Sequence, residues 1–256
     1  MLAAAALILL ITTPALHAQS IFNTPPNVAE QFLLAAANRD RAARGLQQLH
    51  LDPTLTQAAC AHAQEMASHR DISHQFPGEP KLSERGANAG ARFSLISENV
   101  AEAPIATMIH DLWMQSEGHR ENLLDPSVDA VGIAVIMRDD EYYAVEDFAE
   151  SVQSLSFNAQ ESAVASLLAK SGMQIANGKI MSEKDARHTC RMSTGYVGPR
   201  QPWYIMRYTA HSVTELPAVL RARLTSGKYH QAVVGACAES TSVPFAFYNI
   251  AVLLYP

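Results

Sequence analysis

The spacing of apolar residues divides the first half of the chain into helical and extended stretches. Apolar positions three and four residues apart predict a helix over 28–44 and a second helix that begins at Asp52-Pro53. A third helix is predicted to run into the stretch 110–126 and to end at Gly118. The apolar face expected for this third helix comprises Ile105, Met108, Ile109, Leu112, Trp113 and Ser116.

Three stretches between and after these helices have the pattern of strands. Residues 95–100 form a short, mostly apolar segment. Residues 130–137 are apolar on both faces, which is typical of a central strand covered on both sides. Residues 142–148 are the predicted return strand, so an antiparallel hairpin that turns at 139–140 is expected.

The last hundred residues predict a separate small α+β module over 151–256. No sequence repeat or low-complexity run is evident. The predicted elements of this module are helices over 160–171 and 212–225 and strands over 203–210, 229–238 and 245–255.

The first 18 residues have the pattern of an export signal. Residues 2–11 are wholly apolar, Pro14 breaks the run, and the small residue Ala18 offers a cleavage point. The apolar run is shorter than the roughly 20 residues that a membrane-spanning helix needs. The alternative is a buried N-terminal helix. Residues 19–26 are predicted to be a linker, and no other stretch has the pattern of a membrane span.

Composition and charge exclude some classes of protein. Of the 256 residues, 48% are hydrophobic and 17% are charged, which is the balance of a globular protein. The net charge of −6 argues against a nucleic-acid partner. Residues 1–150 carry a net charge of −11 and residues 151–256 a net charge of +5. The two parts either attract each other or are solvated independently.

The three cysteines indicate one disulfide and one thiol. Cys190 and Cys237 both lie in the C-terminal module, and in an exported protein they are candidates for a disulfide. Such a bond closes a loop of about 48 residues and is worth about 4 kcal/mol in the chain-entropy model. Cys60 lies on the inward side of the second helix and is predicted to be a free buried thiol.

Four polar residues occupy positions that the pattern predicts to be buried or fixed. His62 lies in an apolar helical stripe, where it is either a hydrogen-bonded core residue or a ligand, whereas His74 is predicted to be structural. Glu98 interrupts an apolar segment, so it either has a buried partner or is exposed at a sheet edge. His119 follows Gly118 and is expected to be held rigidly near the core.

A series of short motifs follows one another through residues 27–150. They include Asn38-Arg39, Arg44-Gly45-Leu46, Leu51-Asp52, His62-Ala63, Ser73-His74, Glu84-Arg85, Glu98-Asn99-Val100, Trp113, Gly118-His119-Arg120, Asn122-Leu123-Leu124, Pro126, Val131-Gly132 and Asp147-Phe148. In this order they resemble the CAP superfamily, the cysteine-rich secretory, antigen 5 and pathogenesis-related proteins, in its bacterial branch. The resemblance implies an α+β fold, a three-layer α-β-α sandwich with a mainly antiparallel sheet, and it implies secretion.

The resemblance also implies a cleft of two histidines and two acids that in several members holds a divalent metal. His62 and Glu98 match the family's first histidine and first acid, and His119 takes the place of the second histidine. The second acid's position is Ser116, with Glu117 as a neighbouring substitute. Two imidazoles and a carboxylate suffice to ligate Zn²⁺, so His62, Glu98 and His119 are the predicted metal ligands. The alternative is a buried polar network.

These observations favour a secreted binding protein over an enzyme. The resemblance implies two ligands, a divalent metal in the cleft and, as in some members of the family, an apolar molecule such as a lipid or sterol. One alternative is an extracellular hydrolase, with Glu98, Ser116, Glu117 and His119 as candidate catalytic residues. The chain has no Gly-x-Ser-x-Gly or His-Glu-x-x-His motif to support it. The other alternative is a cell-envelope scaffold whose C-terminal module binds the partner.

Overall fold

The computed structural model describes residues 26–176, 178, 180–238 and 244–256. The predicted export signal, residues 1–18, and all but the last residue of the predicted linker lie outside the described residues. The described chain forms two four-stranded sheets, each with its own helices. No helix among the described residues is long and apolar enough to cross a membrane.

The first module is a three-layer sandwich, as predicted. Its strands lie in the order β1-β3-β4-β2, with β1 parallel to β3 and the other pairs antiparallel. Helix α2 packs on one face of the sheet, and α1, α4 and α5 pack on the other. The elements are α1 (Val28–Ala42), β1 (His50–Leu51), α2 (Pro53–His69), α3 (Leu82–Asn88), β2 (Phe93–Ala103), α4 (Ala106–Gln115), α5 (Glu117–Leu124), β3 (Ala130–Arg138) and β4 (Glu141–Ser151).

The starts of the first two long helices follow from their capping residues. The Asn27 side chain accepts a hydrogen bond from the backbone N–H of Glu30, whose own side chain accepts from the Asn27 N–H. The Asp52 side chain accepts from the backbone N–H groups of Thr54 and Leu55. The predicted start of α2 is therefore confirmed.

The predicted end and buried face of the third helix are wrong in part. Helix α4 ends at Gln115 because Ser116 is extended (φ −81°, ψ 128°), and Gly118 lies inside the next helix. His119 is therefore a helical residue of α5. Of the predicted face, Ile109 and Trp113 are buried against the sheet, whereas Ile105, Met108 and Leu112 are 52%, 43% and 47% exposed.

The second module has its own core and a sheet in the order β5-β7-β8-β6. Its five predicted elements are present with shifted ends, and α7 and β5 were not predicted. Helix α7 contains few apolar residues, so it gives no helical period. The elements are α6 (Phe157–Lys170), β5 (Gln174–Ile175), α7 (Glu183–Cys190), β6 (Tyr204–Ala210), α8 (Ala218–Leu224), β7 (Gln231–Cys237) and β8 (Tyr248–Tyr255).

The two sheets have the same topology. In each, the first short strand pairs in parallel with the third, and the fourth strand pairs antiparallel with both the third and the second. The chain has this repeat of topology without a recognisable repeat of sequence. Strand order depends on the pattern of burial and pairing, so two modules can share a strand order without sharing residue identities.

A glycine at the same place in each sheet supports the equivalence of the two modules. A Cβ on Gly132 of β3 would lie 2.1 Å from the carbonyl carbon of Leu55 in α2. A Cβ on Gly235 of β7 would lie 2.1 Å from the carbonyl carbon of Ala186 in α7. Each helix therefore rests directly on the backbone of a central strand, and α7 corresponds to α2.

The predicted disulfide between Cys190 and Cys237 is present and joins the end of α7 to the end of β7. Cys60 is a free thiol, as predicted, and it is half-buried. The first module contains no disulfide among its described residues, so only the second module has a covalent link between its helix and its sheet.

The modules contact each other at the start of β2. The Ala246 backbone N–H donates to the Phe93 carbonyl oxygen at 2.8 Å, and the Phe93 and Phe245 rings meet edge to face. The Tyr248 hydroxyl donates to the Gln153 carbonyl oxygen at 2.6 Å. The side chains of Glu150 in the first module and His211 in the second approach to 3.7 Å, so the junction combines backbone and aromatic contacts with one polar pair.

Candidate functional site

Glu98 is the centre of a buried polar cluster in the first module. Strand alternation places its side chain on the face of the sheet that α2 covers, and the side chain is 2% exposed. One carboxylate oxygen lies 2.9 Å from Nδ1 of His74, and the other accepts a hydrogen bond from the Arg85 guanidinium. Glu98 therefore has buried partners, as one of the two sequence hypotheses required. We call His62, His74, Glu79, Arg85, Glu98 and Asp147 the Glu98 network.

Both ring nitrogens of His62 are committed to hydrogen bonds. Nδ1 lies 2.6 Å from the Glu79 carboxylate, and Nε2 lies 2.7 Å from the Ser73 carbonyl oxygen. A carbonyl oxygen only accepts, so Nε2 carries a proton and has no lone pair to offer. The shortest contact from His62 to Glu98 is 3.8 Å. His62 is thus a hydrogen-bonded core histidine in this arrangement.

His74 and His119 form the outer edge of the network, which we call the histidine rim. Their ring centroids are 6.4 Å apart. The hydrogen bond that His74 donates to the Glu98 carboxylate raises the pKa of His74, which favours the imidazolium. Burial lowers the pKa of His119, and the charge of His74 lowers it further. The rim therefore pairs a histidine that favours its charged form with one that favours its neutral form.

Asp147 lies directly opposite Glu98 in the pairing of β2 with β4. It is completely buried, and burial followed by the charge of Glu98 raises its pKa well above the ordinary value for aspartate. Burial and the neighbouring carboxylate thus favour the protonated form of Asp147. Arg85 is the cation that contacts Glu98 directly.

Three side chains of the sheet and the helices fix the position of α5, which carries His119. Asn99 donates to the His119 carbonyl oxygen at 3.0 Å, and Asn122 donates to the Glu98 carbonyl oxygen at 3.1 Å. The fully buried guanidinium of Arg41 donates to three carbonyl oxygens at or after the end of α5, those of Leu123, Asp125 and Val128. His119 is therefore held by buried hydrogen bonds at both ends of its short helix.

The other two predicted site residues lie away from the network. Ser116 joins α4 to α5, and Glu117 is exposed in the first turn of α5. No hydrogen bond joins Ser116 to His119 in the described part of the chain, so a serine–histidine pair is not formed.

Sequence reasoning missed four members of the Glu98 network. His74 was predicted to be structural, yet it contacts Glu98 directly. Its motif, Ser73-His74, and the motif that contains Arg85 were both among the residues that resembled the family, and this was the signal available. Asp147 carried the same signal, in the motif Asp147-Phe148, whereas Glu79 carried none because it lies in an irregular loop.

The predicted metal ligands do not come together as a metal site. His62 has no free nitrogen, and Glu98 is bonded to Arg85 and His74. Within the described ranges, no group of three His, Cys, Asp or Glu residues is arranged to hold a metal ion. The donors present do not fit a divalent metal in this arrangement.

Comparison with known proteins is consistent with this architecture. Residues 34–148 match the family model described as CAP, cysteine-rich secretory protein family. The uncharacterized protein YkwD of Bacillus subtilis is 29% identical over 108 residues, which cover 42% of this chain and 42% of that protein. The uncharacterized membrane protein YlbC of the same species is 29% identical over 119 residues, or 45% of this chain and 33% of that protein. The chain thus spans less than half the length of these curated relatives.

Solved structures match about half of the chain. An outer surface protein from Borrelia burgdorferi is 21% identical with a TM-score of 0.47, over 50% of this chain and 96% of that one. An extracellular protein containing an SCP domain from Bacillus anthracis is 23% identical with a TM-score of 0.45, over 50% and 45%. NaASP2, crystallised with Zn²⁺, is 12% identical with a TM-score of 0.37, over 50% and 82%.

Proposed function

Since residues 34–148 form a CAP domain, we propose that this protein is an exported binding protein that takes a polar ligand at the histidine rim. The observation that carries the proposal is the rim itself. His74 is exposed and linked to a buried carboxylate, and His119 lies beside it on a fixed helix. Such a pair offers one charged donor and one neutral group that can donate or accept a hydrogen bond.

The buried part of the Glu98 network supports the rim. Arg85 holds the Glu98 carboxylate in place, and Glu98 in turn fixes the orientation of the His74 ring. Pre-organised polar groups lose little conformational entropy on binding, so they give affinity to a small ligand. In this proposal Arg85 and Asp147 set the charge of the network and do not contact the ligand.

Export is proposed from three independent features. The first 18 residues have the sequence pattern of a signal peptide. The Cys190–Cys237 disulfide is typical of proteins that fold in an oxidising compartment. Two of the similar solved structures are described as an outer surface protein and an extracellular protein. Mass spectrometry of the protein from culture supernatant and from the cell envelope tests both the location and the cleavage point.

Metal binding at His62, Glu98 and His119 stays a prediction, and we do not build the function on it. Zn²⁺ at these residues requires the loss of the Arg85–Glu98 ion pair and of a His62 hydrogen bond. Metal analysis of the purified chain, before and after addition of Zn²⁺, checks this directly. Stoichiometric metal that is absent from His62→Ala and His119→Ala variants would replace our proposal with a metal centre.

An apolar ligand is the second candidate, and a separate surface favours it. Ile105, Met108 and Leu112 form an exposed stripe along α4, at positions three or four residues apart. A lipid or sterol that lies along this stripe would cover it from water. Binding of cholesterol and of phosphatidylcholine vesicles to the wild type and to Met108→Lys is the test, and equal binding by the two proteins contradicts a role for the stripe.

The histidine rim can be tested by NMR of the histidine side chains. Acetate and imidazole serve as anionic and neutral hydrogen-bonding probes, each added separately. We expect saturable shifts of the His74 and His119 ring signals in the wild type, together with shifts of the backbone amide signals of these two positions. The amide shifts should disappear in the His74→Gln/His119→Gln double variant. His188→Gln, which changes an exposed histidine of the second module, is the matched control. Shifts that persist in the double variant, or that are absent from the wild type with both probes, contradict the proposal.

A further inference from the structure

The two modules differ in how much of the sheet their equivalent helices cover. Helix α2 has 17 residues and α7 has 8, which correspond to about 26 Å and about 12 Å of helix. Both helices contact the central glycine of their sheet. The shorter α7 therefore cannot reach as far across its sheet, and one end of the second sheet is left without a helix above it.

Strand register identifies which positions this uncovered end contains. In the first module Gly132 lies opposite Asp147, which lies opposite Glu98. In the second module Gly235 lies opposite Ala251, which lies opposite Arg207. Arg207 thus stands where the first module has Glu98. Two residues further along the same face, Val100 and Val145 correspond to Thr209 and Asn249.

Two positions that are apolar and covered in the first module are polar and open in the second. Val100 and Val145 belong to the core under α2, with Ala59, Ala63 and Met66. Thr209 is exposed and Asn249 is half-buried. A cavity of about 340 Å³ opens at this place, and we call it the Arg207 cavity. Its lining residues are Cys190, Arg207, Tyr208, Thr209, Asn249 and Ile250.

The polar groups of the Arg207 cavity include a cation without a carboxylate partner. Nε of Arg207 donates to the Thr189 carbonyl oxygen at 2.8 Å, and Nη2 donates to the Gly195 carbonyl oxygen. These bonds hold the side chain in place and leave the other N–H groups of the guanidinium available. Within the described residues Arg207 forms no ion pair, and neither the Thr209 hydroxyl nor the Asn249 amide forms a hydrogen bond.

Arg207 also has a structural role that must be separated from binding. Thr189 lies in the last turn of α7, where carbonyl oxygens lack helical partners and a cation is favourable. That role accounts for the bond to Thr189. It does not account for the polar side chains of Thr209 and Asn249, which form no hydrogen bond with α7; Asn249 meets α7 only through its backbone oxygen, 3.3 Å from Cys190 Sγ. Residues 151–256 carry a net charge of +5, which favours an anion over a cation at this cavity.

We propose that the Arg207 cavity binds the oxyanion of a small ligand, a carboxylate or a phosphate group. Arg207 supplies the charge, and the Thr209 hydroxyl and the Asn249 amide supply two further donors. A cavity of this volume lies within the range of small-molecule sites. The second module would then bind an anion through Arg207. The equivalent position of the first module is occupied by the acidic residue Glu98.

Isothermal titration of the full chain with inorganic phosphate, and separately with acetate, tests the proposal and distinguishes the two sources of oxyanion. We expect saturable binding of one or both that weakens about tenfold or more in Arg207→Gln, because a charge-assisted hydrogen bond is lost. Asn249→Val restores the residue type of the first module at this position and leaves the Arg207 bonds to α7 intact. We expect it to weaken binding about fivefold.

Arg223→Gln is the matched control, because Arg223 lies over the Tyr204 ring and outside the cavity. It should bind as the wild type does. Circular dichroism identifies any loss of fold in Arg207→Gln, and Asn249→Val then decides the question. The proposal is overturned if neither anion binds saturably, or if binding is unchanged in a folded Asn249→Val and Arg207→Gln pair. Equal loss in Arg223→Gln would indicate unspecific attraction to a basic surface and would also overturn it.

Discussion

The two modules are built on one topology and treat the same sheet positions in opposite ways. The first module covers Glu98 and Asp147 with a long helix and neutralises them from within, through Arg85 and His74. The second places Arg207 and Ala251 there and leaves the neighbouring end of the sheet open. The difference shows that helix length decides whether polar residues on a sheet become a closed network or a cavity.

Covering a charge makes each of its partners necessary. A buried carboxylate that loses its arginine carries the full cost of desolvation. Part-exposed carbonyl oxygens that lose an arginine can accept hydrogen bonds from water instead. The same substitution of arginine should therefore have unequal effects in the two modules, and stability measurements can test the comparison.

The largest expected effect is at Arg85. Arg85→Met removes the cation from buried Glu98, and we expect the free energy of unfolding to fall by about 4 kcal/mol. Arg207→Gln should cost about 1 kcal/mol, because its carbonyl contacts are part-exposed. Urea unfolding of both variants measures the difference. A second substitution, Glu98→Gln, should restore much of the loss in Arg85→Met, and equal losses at Arg85 and Arg207 would contradict the comparison.

The disulfide provides the next test, because only the second module contains one among its described residues. Cys190→Ser/Cys237→Ser removes the link between α7 and β7, and we expect a loss of about 4 kcal/mol. Hydrogen exchange followed by mass spectrometry shows where the protein opens. Faster exchange confined to β5–β8 agrees with two separate cores. Equal acceleration in β2–β4 would mean that the modules unfold as one unit. Cys60→Ser is the control.

Glu146 allows a third comparison, on the other face of the first sheet. It is fully buried, neither carboxyl oxygen has a hydrogen-bond partner among the described residues, and burial raises its pKa to about 8. The register places Ile250 at the equivalent position of the second module, where an apolar side chain avoids the problem. The folded state therefore holds a proton on Glu146 that the unfolded state releases once the pH exceeds the ordinary glutamate value of 4.5.

The sign of this pH dependence follows directly. As the pH rises from 4.5 towards 8, the wild type loses about 1.4 kcal/mol of stability per pH unit from this group, and above 8 the loss levels off. Glu146→Gln cannot ionise at this position. We therefore expect the free energy of unfolding of the variant, measured relative to the wild type, to be about 3 kcal/mol higher at pH 7 than at pH 4. Urea unfolding at a series of pH values measures the gap. A gap that stays constant with pH would show that Glu146 is not buried as described.

Sequence reasoning succeeded where one residue determines a local structure. Asp52 placed the start of α2, and the apolar stretch 130–137 gave the central strand. The presence of a partner for Glu98 followed as one alternative, because buried charge demands one. The identity of that partner did not follow, since Arg85 and His74 reach Glu98 across a loop that has no period. The structural repeat was also missed, because Arg207 and Glu98 share a position but no chemistry.

The smallest expected effects concern the feature that the modules share. Gly132→Ala and Gly235→Ala each place a methyl group 2.1 Å from a helix carbonyl carbon, so α2 or α7 must move away from its strand. We expect each variant to lose about 2 kcal/mol. The consequences should differ between the modules. Because α2 carries His62 under Glu98, Gly132→Ala should shift the His74 and His119 resonances. Gly235→Ala should instead weaken phosphate or acetate binding at Arg207. Gly118→Ala, at a position with open space around it, is the control. If either variant alters the site of the other module, the two sheets are mechanically coupled through the Phe93–Phe245 contact, and the modules cannot be treated as independent.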